Sequence, residues 1–240
     1  QAGGREKFCK KMKKLVIIPA YNEEGNLEKT INDITENAPG FDYVIINDCS
    51  TDNTLEMCRH HGFHYLNLPV NLGIGGAVQT GYRYAFYHGY DLAVQFDGDG
   101  QHSAAHLEDM AKVLEKSGAD MVIGSRFIEK EGFQSSGLRR VGIRYFTMLI
   151  RLLTGKTITD PTSGMRMVNR KLLEKFTNEY PKDYPEPESV VTILSENYKV
   201  KEVPVIMNER EEGVSSISLR NSVYYMIKVS FAILIARMKK

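Results

Sequence analysis

The stretch Gln95-Phe96-Asp97-Gly98-Asp99-Gly100-Gln101-His102 decides how the chain is read. It follows Leu92-Ala93-Val94, a short apolar run with the character of a buried strand, so it lies where that strand emerges at its carboxyl end. Two carboxylates two residues apart point to the same side of an extended chain, where they can share one cation. Hard oxygen ligands suit Mg²⁺ or Mn²⁺, which are commonly held by one or two carboxylates and completed by substrate phosphates. Gly98 and Gly100 allow a sharp turn and close approach of a ligand to the backbone. Taken alone, the same Asp-Gly pairs are ordinary turn chemistry, so the neighbouring segments have to decide.

Those segments repeat one rhythm. Leu15-Val16-Ile17-Ile18 breaks at Pro19 into the loop Pro19-Ala20-Tyr21-Asn22-Glu23-Glu24, and Leu27, Ile31, Ile34 and Ala38 then fall at helical spacing. Val44-Ile45-Ile46 runs into Asn47-Asp48-Cys49-Ser50-Thr51-Asp52, which can cap a helix reaching His61. A short strand from His64 to Leu68 leads to Asn71-Leu72-Gly73-Ile74-Gly75-Gly76 and a helix with Val78, Tyr82 and Phe86 on one face. The amides at that helix start can meet an anion or simply make a tight turn, and the pattern matches no Walker or dinucleotide fingerprint. Leu107, Met110, Ala111 and Leu114 mark another amphipathic helix, and Met121-Val122-Ile123 a strand ending in Gly124-Ser125-Arg126. Alternating strands and helices predict an α/β, doubly wound, mostly parallel sheet. In such a sheet ligands bind at the carboxyl ends of the strands, so the loops after Ile18, Ile46 and Val94 should meet in one crevice.

From Gly132 the rhythm changes. Glu129 to Gly137 is a polar loop long enough for a lid. Arg139 to Leu153 predicts a helix with Arg140, Arg144 and Arg151 on one stripe and Val141, Tyr145, Met148, Leu149 and Leu152 on another. That stripe of arginine is either a solvated edge or a contact for phosphate or lipid. Asp160-Pro161-Thr162-Ser163-Gly164-Met165-Arg166 is dense in turn formers, and Val203-Pro204-Val205-Ile206 reads as an edge strand because of its proline. Ile217 to Met238 is helical by pattern, and its run Val229 to Ala236 is apolar enough to need a membrane interface, a partner or the core to cover it.

Composition excludes several classes. The chain has 240 residues, 42% hydrophobic and 25% charged, enough for one core-bearing domain with a small appendage. A formal net charge of +1 gives no global field for nucleic acid. Cys9, Cys49 and Cys58 are odd in number and form no CxxC, which fits a reducing, cytosolic setting. No run reaches the roughly 18 apolar residues of a membrane span. Residues 1–13 read as a tag remnant and basic lead-in, 14–216 as the α/β domain and 217–240 as an amphipathic C-terminal helix for a membrane interface or a partner.

The segments Pro19 to Glu23, Asn47 to Asp52, Asp97 to His102 and Asp160 to Arg166 stand in the order and approximate spacing of family 2 inverting glycosyltransferases. The chain resembles their polyprenyl-phosphate branch, similar to dolichol-phosphate mannose synthases and the bacterial polyprenyl-phosphate glycosyltransferases. The resemblance runs from about Lys14 to Ile217 and implies a GT-A fold, a nucleotide-sugar donor, with UDP favoured over GDP, and Mg²⁺ or Mn²⁺. It also implies a polyprenyl phosphate acceptor at the cytoplasmic, inner face of a membrane, where the enzyme sits peripherally. Carried over by position, Pro19, Tyr21, Glu23, Asp48, Asp97 and Gly98 would hold the nucleotide, and Asp97 and Asp99 the metal. Asp99, Asp160 and Arg126 would serve catalysis, and Arg139, Arg140, Arg166, Arg210 and Ser215 the acceptor and its phosphate. Gly98 replaces the commoner Ala of an Asp-Ala-Asp motif, and Ser216 stands where many relatives carry Lys.

The acceptor sets the chemistry. A hydroxyl needs a base such as Asp160 or Glu186, whereas a phosphate monoester, with a second pKa of about 6, is already deprotonated and needs cations to hold it. The arginines of the second half favour the phosphate. Transfer to a glycan hydroxyl and a non-catalytic nucleotide-sugar-binding module are the alternatives, with a small membrane protein as another partner for the C-terminal helix and room for a homo-oligomer. His102 and His106 are four apart, but with no third ligand evident they read as polar packing rather than zinc ligands.

Overall fold

The computed structural model describes residues 12–129, 131–132, 137–207 and 219–238, with the side chains of 138, 139 and 219–225 left out. Arg210, Ser215, Ser216, the side chain of Arg139 and most of the loop 129–137 therefore lie outside the described residues.

Seven strands form one sheet: β1 (Lys14–Ala20), β2 (Asp42–Asn47), β3 (Tyr65–Asn67), β4 (Leu92–Gln95), β5 (Met121–Ser125), β6 (Arg166–Asn169) and β7 (Val200–Pro204). Their order is β3-β2-β1-β4-β6-β5-β7, and β6 alone runs antiparallel to its neighbours. The unbroken apolar run of β1 suits a strand covered on both faces. Leu15 and Ile17 enter one core with Val78, Tyr82 and Phe176, while Val16 and Ile18 enter the other with Leu27, Ile31 and Met110. The helices α1 (Leu27–Asn37), α2 (Thr54–His60) and α4 (Leu107–Ser117) cover the second face. The first face carries α3 (Gly73–Tyr87), α5 (Gly137–Thr154), α6 (Arg170–Asn178), α7 (Pro185–Ser195) and α8 (Leu219–Met238). The doubly wound arrangement read from the alternating pattern is present.

Chain order reverses between β1 and β4, which opens a crevice at their carboxyl ends. β6 is the element that the sequence pattern did not announce. It has only four residues and follows a turn-rich loop, so its period is too short to register. Its register pairs Gln95 with Arg166, so β6 begins where β4 ends. The loop from Asp160 to Met165 is thereby delivered onto the rim beside Asp97. Pro204 sits in β7 at the sheet edge, the position open to a residue without an amide hydrogen.

The helix α5 buries Ile143, Phe146 and Ile150. Of the apolar stripe singled out in the sequence, Val141, Tyr145, Met148 and Leu152 face outward instead, and Leu149 is half-buried against the core. α8 is divided in the same way, with Val229, Ile233 and Ala236 inside and Ile227, Phe231, Leu234, Ile235 and Met238 outside. The two helices touch through Tyr145 Oη and Ser230 Oγ at 3.0 Å, and Arg237 Nε donates to the Leu153 carbonyl at 3.0 Å. No helix among the described residues is long and apolar enough to cross a membrane.

Candidate active site

The loops after β1 and β2 are knitted together by their own polar side chains. Asn22 N donates to Ser50 Oγ at 3.0 Å, Thr51 N to Asn22 Oδ1 at 2.8 Å, and Glu23 N to Thr54 Oγ1 at 3.0 Å. Asn22 and Cys49 hold φ of 57° and 59°, a left-handed backbone that costs a non-glycine residue energy and clusters at ligand sites. Asp48 is almost fully buried, and its Oδ1 accepts the Leu72 amide at 2.7 Å, which brings the start of α3 to the same rim. Tyr21 leaves its ring half exposed over this pocket edge, while Pro19 is buried beneath it.

The acidic loop packs directly on them. Thr30 Oγ1 donates to the Gly98 carbonyl at 3.3 Å, and the open face of Gly98 looks onto the Pro19 carbonyl. Asp97 is gripped from behind: Gln95 Nε2 donates to Oδ1 at 3.2 Å and His102 Nε2 contacts Oδ2 at 3.2 Å. The Gly164 backbone closes the remaining side, where a Cβ would stand 2.3 Å from Asp97 Oδ2. Packing pushes the Asp97 carboxyl up, but the hydrogen bonds and charge of His102, the Gln95 amide and the Arg166 charge outweigh it and hold it below the usual range. A carboxylate kept ionised and still about a third exposed is suited to a cation. Asp99 Oδ1 accepts the Gln101 amide at 3.1 Å, so Gln101 supports the turn through its backbone.

No group of three or more His, Cys, Asp or Glu side chains among the described residues can hold a metal by itself. Two carboxylates on one loop, one of them fixed from behind, fit instead a Mg²⁺ or Mn²⁺ whose coordination is completed by a diphosphate. His106 Nε2 accepts the Ile206 amide at 3.0 Å, so the two histidines serve different partners.

On the far side of the crevice the structure differs from the sequence expectation. Arg126 and Asp160 are 5% and 0% exposed and clasp each other, with Nε to Oδ2 at 2.7 Å and Nη2 to Oδ1 at 2.8 Å. Both oxygens of Asp160 are thus held by Arg126 and none of its surface is exposed, an arrangement that suits a structural clasp better than a base. Arg166, expected to bind acceptor phosphate, is fully buried. Its Nε donates to the Ser163 carbonyl at 2.7 Å, Nη2 to the Pro161 carbonyl at 2.7 Å, and Nη1 to Ser189 Oγ at 3.0 Å and the Glu186 carbonyl. It ties the 160–166 loop to α7 and cannot reach a ligand. Glu186, by contrast, lies near Asp97. Burial and the Asp97 charge push its carboxyl up, against the pull of Arg166 and Gln95.

Outside this clasp runs a groove of about 550 Å³, walled by Phe127 and Thr159 and by Arg140, Ile143, Arg144 and Arg151 of α5. Among the described residues no carboxylate pairs with any of these three arginines. Residues 15–177 match the family model described as glycosyl transferase family 2. The chain belongs to that family. Among relatives of this family 2 transferase, a polyprenol monophosphomannose synthase of Mycolicibacterium smegmatis is 30% identical, the match covering 90% of this chain and 85% of the relative. A UDP-N-acetylglucosamine–dolichyl-phosphate N-acetylglucosaminyltransferase of Methanococcus voltae is 29% identical, covering 79% and 83%. Glucosyl-3-phosphoglycerate synthase of Mycobacterium tuberculosis, in complex with Mn²⁺, UDP-glucose and phosphoglyceric acid, superposes with a TM-score of 0.74 at 18% identity, covering 94% of this chain and 80% of that one. The family 2 transferase therefore has the GT-A fold that its four ordered motifs implied.

The sequence pointed to Asp48, Asp97 and Asp99, and the structure brings their loops together. It did not point to Gln95 or Gly164, nor to Glu202 of β7, whose carboxylate accepts the Thr159 and Asp160 amides at 2.8–2.9 Å behind the Arg126–Asp160 clasp. The readable signals were an amide at the last position of a buried strand and an acid inside the edge strand β7.

Proposed function

We propose that this transferase moves a hexose from a nucleotide diphosphate sugar to a polyprenyl phosphate at the cytoplasmic face of a membrane. The observation that carries this reading is the groove on α5: Arg140, Arg144 and Arg151, paired with no carboxylate among the described residues, line it with Phe127, Ile143 and Met148, which suits an anion attached to a hydrocarbon chain. The names of the relatives from Mycolicibacterium smegmatis and Methanococcus voltae agree with it. In the reaction an oxygen of the acceptor phosphate forms a bond to the anomeric carbon. The bond from that carbon to the diphosphate breaks, and the nucleoside diphosphate leaves with the electron pair. A phosphate monoester gives up no proton in this step, so the clasping of Asp160 by Arg126 is no obstacle. A divalent cation held by Asp97 and Asp99 supplies charge neutralisation on the leaving diphosphate. Arg140, with Arg139 and the loop bearing Arg210 and Ser215, receives the acceptor.

Asp48 supports uridine over guanosine. One of its oxygens already accepts the Leu72 amide, which leaves the other for a single donor. Uracil offers one imide N–H, whereas guanine offers two adjacent donors that ask for a whole carboxylate. Tyr21 supplies a face for the base to stack on. The outward apolar stripes of α5 and α8, bordered by Arg140, Arg144 and Arg151, support a peripheral seat on an anionic bilayer.

A second reading has one observation in its favour. Glu186, with its raised carboxyl near Asp97, is placed to take a proton from a hydroxyl acceptor on a glycan. Incubating the protein with Mn²⁺, a panel of radiolabelled UDP- and GDP-sugars, undecaprenyl phosphate and an oligosaccharide separates the two. Label from a UDP-sugar extracted into organic solvent, and lost with EDTA, is the expected result. Label on the oligosaccharide alone rejects the lipid acceptor.

A further inference from the structure

Glu202 lies in β7, opposite Ile123 of β5, on the outer edge of the sheet and away from the nucleotide crevice. Its carboxylate accepts hydrogen bonds from the next loop rather than from a cation. Thr159 N donates to Oε1 at 2.9 Å and Oε2 at 2.8 Å, Thr159 Oγ1 to Oε1 at 2.9 Å, and Asp160 N to Oε1 at 2.9 Å. Three donors on two consecutive residues therefore converge on one side chain. What those residues do next gives the contact its meaning. Thr159 Oγ1 meets Ser125 Oγ at 2.7 Å, and Ser125 Oγ accepts the Phe127 amide at 3.2 Å. Asp160 accepts the Arg126 amide at 3.3 Å besides clasping its guanidinium. Phe127 and Thr159 are the wall of the arginine-bearing groove opposite α5.

We propose that Glu202 is a positioning residue for the acceptor groove: it fixes the 159–160 backbone, and through the Asp160–Arg126 clasp and Ser125 it sets the wall that faces Arg140 and Arg144. This rests on the reading that the acceptor occupies the groove. Glu202 touches neither donor nor metal loop, so its influence falls on the acceptor alone. What matters is the reach of its oxygens, since the donors are backbone amides and a hydroxyl. Oε1 alone accepts from all three donors, and a neutral amide with its oxygen there keeps them, losing only the second contact of Thr159 N, at Oε2, where its NH2 cannot accept.

Two variants separate reach from charge. Glu202→Gln keeps the reach and loses the charge, and Glu202→Asp keeps the charge and draws the oxygens back by one methylene. Each is compared with the parent for transfer from a radiolabelled UDP-sugar to undecaprenyl phosphate in detergent micelles with Mn²⁺. UDP binding with Mn²⁺ is followed by calorimetry, and thermal unfolding is measured alongside. The expected result is a loss of tenfold or more in kcat/KM for the lipid phosphate in Glu202→Asp, within threefold of parent in Glu202→Gln, and unchanged UDP affinity in both. Glu202→Asp with parental acceptor kinetics overturns the assignment. So does a Glu202→Asp that loses UDP affinity in step with transfer, or that fails to fold, because Glu202 would then hold the sheet and not the groove. A parent that binds UDP but glycosylates no lipid phosphate sinks the acceptor reading instead, and that outcome is visible before any variant is made.

Discussion

The two sides of the crevice handle charge in opposite ways. On what the proposed reaction makes the donor side, Asp48 accepts the Leu72 amide, and Asp97 is held by Gln95 and His102 while its side chain stays about a third exposed. Across from it, on what that reading makes the acceptor side, Arg126 and Asp160 cancel each other in a closed pair, and Arg166 spends its donors on carbonyls and Ser189. Among the described residues, Arg140, Arg144 and Arg151 of α5 instead line the open groove outside that pair. The difference teaches that a motif residue can be essential in two senses. A carboxylate that must bind a metal is buttressed and left open, whereas a charge that must shape a loop is buried and fully satisfied. Substitutions on the two sides should therefore fail in different ways.

The largest expected effect is on the donor side. Asp99→Ala should reduce transfer by at least about 100-fold, since it removes half of the carboxylate pair whose cation offsets charge on the leaving group. The melting temperature should stay near that of the parent, because Asp99 is partly exposed on a loop. Transfer assays and thermal melts on one preparation check both halves. Parental turnover would remove the metal from the loop.

Arg166→Met should show the opposite pattern. It orphans the carbonyls of Ser163, Pro161 and Glu186, each worth about 1–3 kcal/mol when left buried and unpaired. A loss of ~3 kcal/mol or more corresponds to a fall of roughly 10 °C in a chain of this size. At a temperature where the variant is folded, its affinity for UDP measured without metal should be close to parental, since Arg166 makes no hydrogen bond to the Tyr21 or Asp48 loops. A stable variant that has lost only lipid phosphate binding would return Arg166 to the acceptor.

The same contrast explains what could be read without coordinates. The parallel strands announced themselves because Leu15 to Ile18, Val44 to Ile46 and Leu92 to Val94 are apolar without interruption, and their loops carry the acids. The topology then had to bring Tyr21, Asp48 and Asp97 to one edge. Arg166 and Asp160 misled because an arginine and an aspartate in a turn look the same whether they face solvent or each other. Their partners, Arg126 and the carbonyls of 161, 163 and 186, are set by β6, a four-residue strand whose direction no local pattern encodes. In α5 and α8 the periodicity was legible, but which apolar stripe faced inward was not. Each helix has two stripes, and only the packing against α7 and the sheet chooses between them.

The smallest effects come from two glycines, one within the metal loop and one packed against it, and together they test the buttress itself. A methyl group on Gly98 would meet the Pro19 carbonyl at 3.3 Å and Ile18 Cγ2 at 3.5 Å, tight but nearly ordinary contacts. Gly98→Ala should therefore change stability by less than about 0.5 kcal/mol and leave the affinity for Mn²⁺ and UDP within threefold. A methyl group on Gly164 would stand 2.3 Å from Asp97 Oδ2 and 2.9 Å from its Cγ, so the carboxylate must swing away from His102 and Gln95. Gly164→Ala should then weaken Mn²⁺ binding about tenfold, equivalent to roughly 1.4 kcal/mol, although position 164 itself donates nothing to the metal. Titration of each variant with Mn²⁺ followed by electron paramagnetic resonance gives the comparison. If the two alanines prove equal, Asp97 is free to adjust, and the grip from behind that distinguishes the donor side is not what sets its affinity.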